Sequence, residues 1–240
     1  PALAPTERPG PAGPTREIVL AVANVNVYNL QPGAAAEALA ALDADVLVTL
    51  ETPNGFRDPD GALARRYGGV VNRVRWIYTG NWLWTDLPIL EGEKRDFAED
   101  RPAQVWARLD LGGGATLDVL GLHFRRPLAE PQERQIAGLP AALPDGLRRP
   151  LVALGDFNAA PWSEAVARVA DALDLDVVGG LRLTWRSAYA ALLGPLGPIL
   201  SLPIDHAMIS EGLGVRAVWT AAIPGSDHRA VVIRLAAPLG

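Results

Sequence analysis

Cysteine is absent from all 240 residues. That excludes disulfides, thiolate nucleophiles and cysteine-ligated zinc or iron–sulfur sites. Nothing approaches the roughly 20 uninterrupted apolar residues that a membrane-spanning helix needs, and the longest apolar runs, such as Ile18 to Ala23, are strand-sized. Positive charge is not in excess either. Twenty-two Lys and Arg against 27 Asp and Glu leave a net charge of −5, which argues against indiscriminate polynucleotide binding, where neutralising phosphates dominates affinity. The three histidines are too far apart for zinc-site spacing. No signal-peptide pattern and no internal repeat is visible. What is present is a chain 49% apolar and 20% charged, enough to bury a sizeable core and unlike a disordered or fibrous sequence.

Residues 1–14 are rich in Pro, Ala and Gly without periodicity and predict a flexible leader, taken to residue 16, before a single domain over 17–240. The continuous apolar run Ile18 to Ala23 reads as a strand buried on both faces. A helical spacing over 33–43 and a second buried strand over 45–50, ending on Glu51, make a parallel pair. Strands over 104–110 and 115–122 flank Gly112-Gly113-Gly114 as a hairpin. A helix is expected over 130–143, ended or kinked by Pro140, and another from Pro161 to about Leu173. Short strands at 151–154, 204–209, 215–220 and 230–235 complete the set. Strands and helices interleave, but hairpins are mixed in, so the pattern predicts α/β layers with mixed sheets.

Asn24, Asn26, Glu51, His123, Asp156, Asn158, Asp205, His206, Asp227 and His228 share one context, on or just after an apolar strand. Polar groups there need partners, and strand-end loops are where α/β proteins place their sites. Asp156 and Asn158 can orient water and hold a phosphoryl oxygen or a metal; a capping turn explains them equally well. A lone Glu51 at a strand mouth suits a hard, oxygen-seeking cation, and magnesium takes few carboxylates. Asp205, inside an apolar strand, needs a partner such as a histidine from another strand, whereas alternation turns His206 away as a structural residue. His123 followed by Arg125-Arg126 suits an anionic phosphate or a basic surface tip. Ser226-Asp227-His228 is not a catalytic triad, because neighbouring residues in a strand diverge.

In order along the chain, A-N-V at Asn24, L-E-T at Glu51, G-L-H at His123, G-D-F-N at Asp156 and Asn158, P-I-D-H at Asp205 and S-D-H-R at Asp227 and His228 resemble the endonuclease/exonuclease/phosphatase superfamily. The phrases G-D-F-N-A-A-P-W-S and P-I-D-H-A-M-I-S further resemble a bacterial branch whose members often carry membrane segments before the catalytic domain. The resemblance implies a four-layer α/β/β/α sandwich of two mixed sheets with helices outside. It also implies magnesium-dependent hydrolysis of a phosphodiester or phosphomonoester, with manganese as a substitute, by in-line attack of an activated water. Glu51 is then the main metal ligand, with Asn24 and Asp227 nearby. Asp156 activates the water, Asn158 helps hold water or phosphate, and His228, oriented by Asp205, stabilises the phosphoryl oxygens. His123 lies across the scissile phosphate and assists the leaving group, while Arg125 and Asn26 are candidate phosphate contacts.

Two departures stand out. Asn26 occupies a position that is acidic in many family nucleases, and the segment before the His123 strand carries Trp76, Tyr78, Trp82 and Trp84 instead of a recognisable family pattern. Those aromatics fit base stacking or core packing. The implied substrate is nucleic acid, with a lipid or small-molecule phosphoester as the alternative, favoured if apolar loops such as 190–202 meet a membrane. A catalytically inactive binding module is the reading from another class. The chain is read as a monomer without an obligate protein partner, either freely soluble or as the soluble domain of a membrane-tethered protein.

Overall fold

The computed structural model describes residues 7–53, 56, 60–71, 80–127, 130–187 and 201–239. In chain order the elements are β1 (Thr15–Asn24), α1 (Pro32–Ala40), β2 (Val46–Leu50), α2 (Ala62–Arg66), β3 (Gly69–Val71), β4 (Trp82–Thr85), β5 (Ile89–Arg95), β6 (Ala103–Gly112) and β7 (Ala115–His123). There follow α3 (Glu130–Ala142), β8 (Leu151–Asp156), α4 (Glu164–Leu173), β9 (Asp176–Val178), β10 (Trp185–Arg186), β11 (Ser201–Leu202), β12 (Asp205–Ile209), β13 (Gly214–Ala222) and β14 (Arg229–Pro238). Two mixed six-stranded sheets result, ordered β13-β14-β1-β2-β4-β3 and β5-β6-β7-β8-β12-β9, with β10-β11 as a separate two-stranded ribbon.

Three apolar clusters define the four layers. Alternation along β1 sends Ile18, Leu20 and Val22 into the space between the sheets, where they meet Val105, Val119, Val152 and Ile209. Ala21 and Ala23 face the other way, onto α1 and α2 through Ala35, Leu39 and Leu63. On the far side, Leu120, Leu122 and Ala153 pack beneath α3 and α4 through Ile136, Leu139, Val166 and Val169. Because both faces of the central strands are covered, they read as unbroken apolar runs. Each fully buried aliphatic side chain contributes about 1.5–3 kcal/mol. Gly121 lets the sheets close up: a Cβ there would stand 2.7 Å from Cγ1 of both Val105 and Val48.

Several boundaries differ from expectation. Residues 7–14, read from composition as a flexible leader, are tied to the domain. Arg8 exchanges backbone hydrogen bonds with Val215 at 3.0 and 2.9 Å, its guanidinium meets Asp176 at 2.8 Å, and Thr15 and Arg16 already belong to β1. Pro140 neither ends nor breaks α3, which runs on to Ala142. Pro140 lacks the N–H for one helical hydrogen bond, and only Ala141 and Ala142 follow it before the helix ends. Helix α4 begins at Glu164 rather than Pro161, because the Ser163 hydroxyl caps it by accepting from Val166 N at 3.2 Å. Trp82 and Trp84 stack in the buried layer beneath α1 and α2, ring centroids 5.1 Å apart, so they are core; Trp76 and Tyr78 lie outside the described residues. Among the described residues no helix is long and apolar enough to cross a membrane.

Candidate active site

One rung of the second sheet brings three predicted residues side by side. His123 at the end of β7 pairs in register with Asp156 at the end of β8, and Asp156 pairs with Asp205 at the start of β12. Gly155 is required there, because a Cβ would collide with the Leu122 carbonyl of the neighbouring strand. From the first sheet, Asn24 at the end of β1 reaches across the gap. Its amide donates to Asp156 Oδ2 at 3.0 Å and to Glu51 Oε1 at 3.1 Å. His123 Nε2 lies 3.8 Å from Asp156 Oδ2 and 3.6 Å from Glu51 Oε1. His228 Nε2 approaches the same Asp156 oxygen at 3.9 Å, while its Nδ1–H donates to Asp205 Oδ2 at 2.9 Å. Three of the predicted residues, Asn24, His123 and His228, therefore converge on one buried carboxylate, and Asp205 has the histidine partner from another strand that its burial demanded.

Turns hold this arrangement. Asn26, Glu51 and Asn158 adopt left-handed backbone conformations, with φ of 60, 50 and 47°. Asn tolerates this region, whereas for Glu51 it stores strain of order 1 kcal/mol or more. Asn158 does not extend the strand. Its N–H closes a turn onto Asp156 Oδ1 at 2.8 Å and its side-chain amide donates to Phe124 O at 2.9 Å, leaving its side-chain carbonyl as the atom to offer a ligand. Both the turn and the site readings of G-D-F-N are thus realised together. Ser226 is structural: its hydroxyl donates to Asn24 O at 2.8 Å and accepts from His228 N at 3.0 Å. His206, as alternation implied, is turned away, with Nε2 donating to Ala159 O at 2.8 Å.

Two expected residues are engaged with each other. Asp227, expected beside the metal, lines an adjoining cavity of about 280 Å³. Its oxygens accept from Asn26 Nδ2 and Trp185 Nε1, both at 2.9 Å. The Asn26 side chain is turned to Asp227: its amide donates one hydrogen bond there and its carbonyl accepts from Tyr28 N at 3.0 Å. The amide in place of a family acid thus creates a neutral partner for Asp227 where a second carboxylate would repel it. Arg125 does line the main cavity, of about 790 Å³, together with Arg126, Glu51, His123, Asp156, Asn158 and His228.

Three contributors carried no motif. Phe97 meets the His123 ring edge-on at 5.0 Å. Thr184 Oγ1 accepts from both Ile204 N and Asp205 N, at 3.1 and 3.0 Å, and so fixes the start of β12. Trp185 orients Asp227 and lines both cavities.

Burial and charge then separate the titrating groups. Burial pushes His123 down to about 4, against the opposing pull of Glu51. Asp156 is raised to about 7, first by burial and then by the Asp205 charge. Burial also works against protonation of His228, but the Asp205 charge and hydrogen bond, with Asp156 and Asp227, more than offset it and hold His228 up at about 9. At neutral pH the site therefore presents one neutral and one cationic imidazole on either side of a carboxylate poised to take a proton, a useful property for acid–base chemistry.

A divalent cation fits the donor set. Glu51 is partly exposed and, among the described residues, its Oε2 is engaged only by a long 3.4 Å contact from Val27 N, which leaves a hard oxygen donor at the cavity mouth beside the Asn24 amide. Asp205 Oδ1 is buried without a hydrogen-bond partner. Asp156, Asp205 and His228 also hold donor atoms within 4.8 Å of one another, but the His228 Nδ1–Asp205 bond already couples two of them as a charged pair.

A model described as the Endonuclease/Exonuclease/phosphatase family matches residues 21–228. The chain belongs to that family. Members are metal-dependent phosphoester hydrolases, and the chain is an enzyme of this kind. Its fold is that of a Bacteroides vulgatus endonuclease/exonuclease/phosphatase (TM-score 0.72, 17% identity, 92% of this chain and 98% of that one). It is also similar to ANGEL2, described as a 2',3'-cyclic phosphatase (0.71, 13%, 96% and 98%). A third likeness is to a Staphylococcus aureus beta toxin mutant with bound magnesium ions (0.65, 15%, 93% and 100%). No curated protein matches in sequence.

Proposed function

We propose that this family member hydrolyses a phosphodiester with magnesium as its cation, Asp156 serving as general base and His228 as the fixed positive charge. The observation that carries the reading is the convergence of Asn24, His123 and His228 on Asp156 Oδ2, within 3.0 to 3.9 Å, at the floor of a large cavity. Glu51, assisted by Asn24, would hold the cation, which when bound supplies Lewis acidity toward a phosphoryl oxygen. The magnesium bound by the beta toxin neighbour supports that choice of ion.

Asp156 accepts a proton from water as the water oxygen forms its bond to phosphorus, and the phosphorus–oxygen bond to the leaving group breaks in line. His228, charged and held by Asp205, faces the oxygens on which negative charge grows; removing one such group typically costs about 3 kcal/mol. His123, neutral and braced by Phe97, is placed to hydrogen-bond on the opposite side. Arg125 and Arg126 at the mouth favour an anionic substrate. An inactive binding module is disfavoured, since the whole polar set is present and mutually oriented.

The test is hydrolysis of bis(p-nitrophenyl) phosphate with magnesium, manganese or EDTA, with D156N alongside. Metal-dependent turnover that falls at least about 100-fold in D156N is expected. Equal turnover in EDTA, or an undiminished mutant, overturns the assignment.

A further inference from the structure

Eight large apolar side chains are exposed among the described residues. Two of them, Val70 and Leu90, belong to edge strands. The other six, Tyr28, Leu30, Trp162, Leu181, Leu183 and Leu202, follow or precede the strand ends that carry the active site. Leu30 is 93%, Tyr28 84% and Trp162 55% exposed, so none of the described residues covers them. Leu202 also lines the catalytic cavity, whose walls include Phe97, Phe124 and Ile204 above the polar floor of Glu51, Asp156 and His228.

The charge on this face is as selective as its hydrophobicity. Segments 24–31, 157–163, 179–187 and 201–204 contain no Asp or Glu, although the chain has 27. The charges they do carry are Arg182 and Arg186, and Arg125 and Arg126 stand at the cavity mouth beside them. Acids stand elsewhere on the cavity, Glu51 and Asp156 within it and Asp96, Glu99 and Asp100 beside Phe97, but on an acidic protein these four segments give it one acid-free, apolar and arginine-edged side.

We propose that the active-site end of the sandwich docks on an anionic phospholipid bilayer, with Tyr28, Leu30 and Trp162 entering the headgroup–acyl boundary and Arg125, Arg126 and Arg186 meeting lipid phosphates, Arg182 being turned onto the Val218 carbonyl. Exposed apolar patches beside a site mark such contacts. Aromatic residues favour the interfacial depth, and each Arg near an anionic surface strengthens binding about fivefold. The geometry then lowers a headgroup phosphodiester toward Asp156 while the acyl chains remain at the rim; this substrate half rests on the hydrolysis proposed above. A polynucleotide fits less well, because four of the six side chains are leucines, which cannot stack on bases.

The experiment is co-sedimentation of the intact chain with vesicles of phosphatidylcholine alone or mixed with phosphatidylglycerol, in EDTA so that turnover plays no part. Single-stranded DNA is included as a competitor. Binding to the mixed vesicles is expected, at least tenfold weaker on pure phosphatidylcholine. Y28S/L30S/W162S should lose at least tenfold of that binding, and R186Q about fivefold. Hydrolysis of bis(p-nitrophenyl) phosphate by the triple variant should stay within twofold of the parent, which also reports that it is folded. Absence of vesicle binding, binding unchanged in the triple variant, or DNA bound in place of vesicles overturns the docking proposal. If vesicles bind but the soluble diester is never hydrolysed, the hydrolytic reading falls and the docking surface stands.

Discussion

Replacing Asp205 by Asn isolates the charge that distinguishes His228 from His123. The change is isosteric, and Thr184 holds residue 205 through its backbone N–H, so the strand start is kept. Asp205 Oδ1 has no partner to lose. The parent His228 sits at about 9, roughly 2.5 units above the ordinary value, or about 3 kcal/mol in favour of the imidazolium. Asp205 supplies the largest share of that, and burial opposes it. Without the carboxylate, burial is left to act and should carry His228 well below its ordinary value, as it does His123, leaving on the order of a hundredth protonated at pH 7. Asp156, whose pKa is raised in part by Asp205, becomes a weaker base at the same time.

The expected outcome is a fall in kcat of about 100-fold, or about 3 kcal/mol, with KM for bis(p-nitrophenyl) phosphate nearly unchanged. Because the folded pKa of His228 drops, its cationic form returns as pH falls. The deficit relative to the parent should therefore narrow between pH 8 and pH 6. In an H228A background the same change should cost less than about threefold, since Asp205 acts through the imidazole. A D205N enzyme with parental kcat, or a loss that is fully additive with H228A, would refute the reasoning.

Three further expectations follow from the packing. G121A places a Cβ against two buried valines and should lower the urea midpoint by an amount equivalent to about 1–3 kcal/mol without changing the m-value. The buried Tyr67 hydroxyl has no hydrogen-bond partner, and burial raises its pKa to about 12. The neutral phenol's stability is thus complete below pH 10 and lost as pH rises toward 12, so Y67F should flatten an alkaline loss of up to about 2 kcal/mol, seen by comparing urea midpoints at pH 9 and 11. H206A removes the bond to Ala159 O and should cost about 1–3 kcal/mol of stability. Its kcat on the soluble diester at low temperature should remain within about twofold, and a catalytic loss would contradict its structural placement.

The site was legible where a short run of sequence both ended a strand and supplied the reacting group, as in Val46 to Glu51 and Leu151 to Asp156. Alternation alone placed Asp205 inward and His206 away, because period two has only two outcomes. Phe97, Thr184 and Trp185 carried no such mark. They lie in or beside irregular segments, and their roles come from which strand end folds against them, a long-range fact with no local period. The leader misled for a related reason: Pro and Gly describe how freely a chain bends, not whether a neighbouring strand edge is open to hold it, and β13 offered Val215. Asn26 stands in sequence only as a departure from the family's acidic residue and becomes intelligible when its amide is seen bound to Asp227.

The two imidazoles at the floor of the cavity are chemically identical and approach the same Asp156 oxygen at 3.8 and 3.9 Å, yet one is driven to about 4 and the other to about 9. Burial pushes both the same way, so it cannot be the discriminator. The difference lies in the rung His123–Asp156–Asp205. Two carboxylates on adjacent strands repel unless a cation lies between them, and His228, arriving from the other sheet, is the group that meets both. The sheet register that sets Asp205 opposite Asp156 therefore also fixes which histidine carries the charge. A one-residue slip of β12 would put His206 in that place, but it would also turn Met208 into the inter-sheet core and Ile209 out of it, so the packing that sets the register also secures the division of labour between His123 and His228.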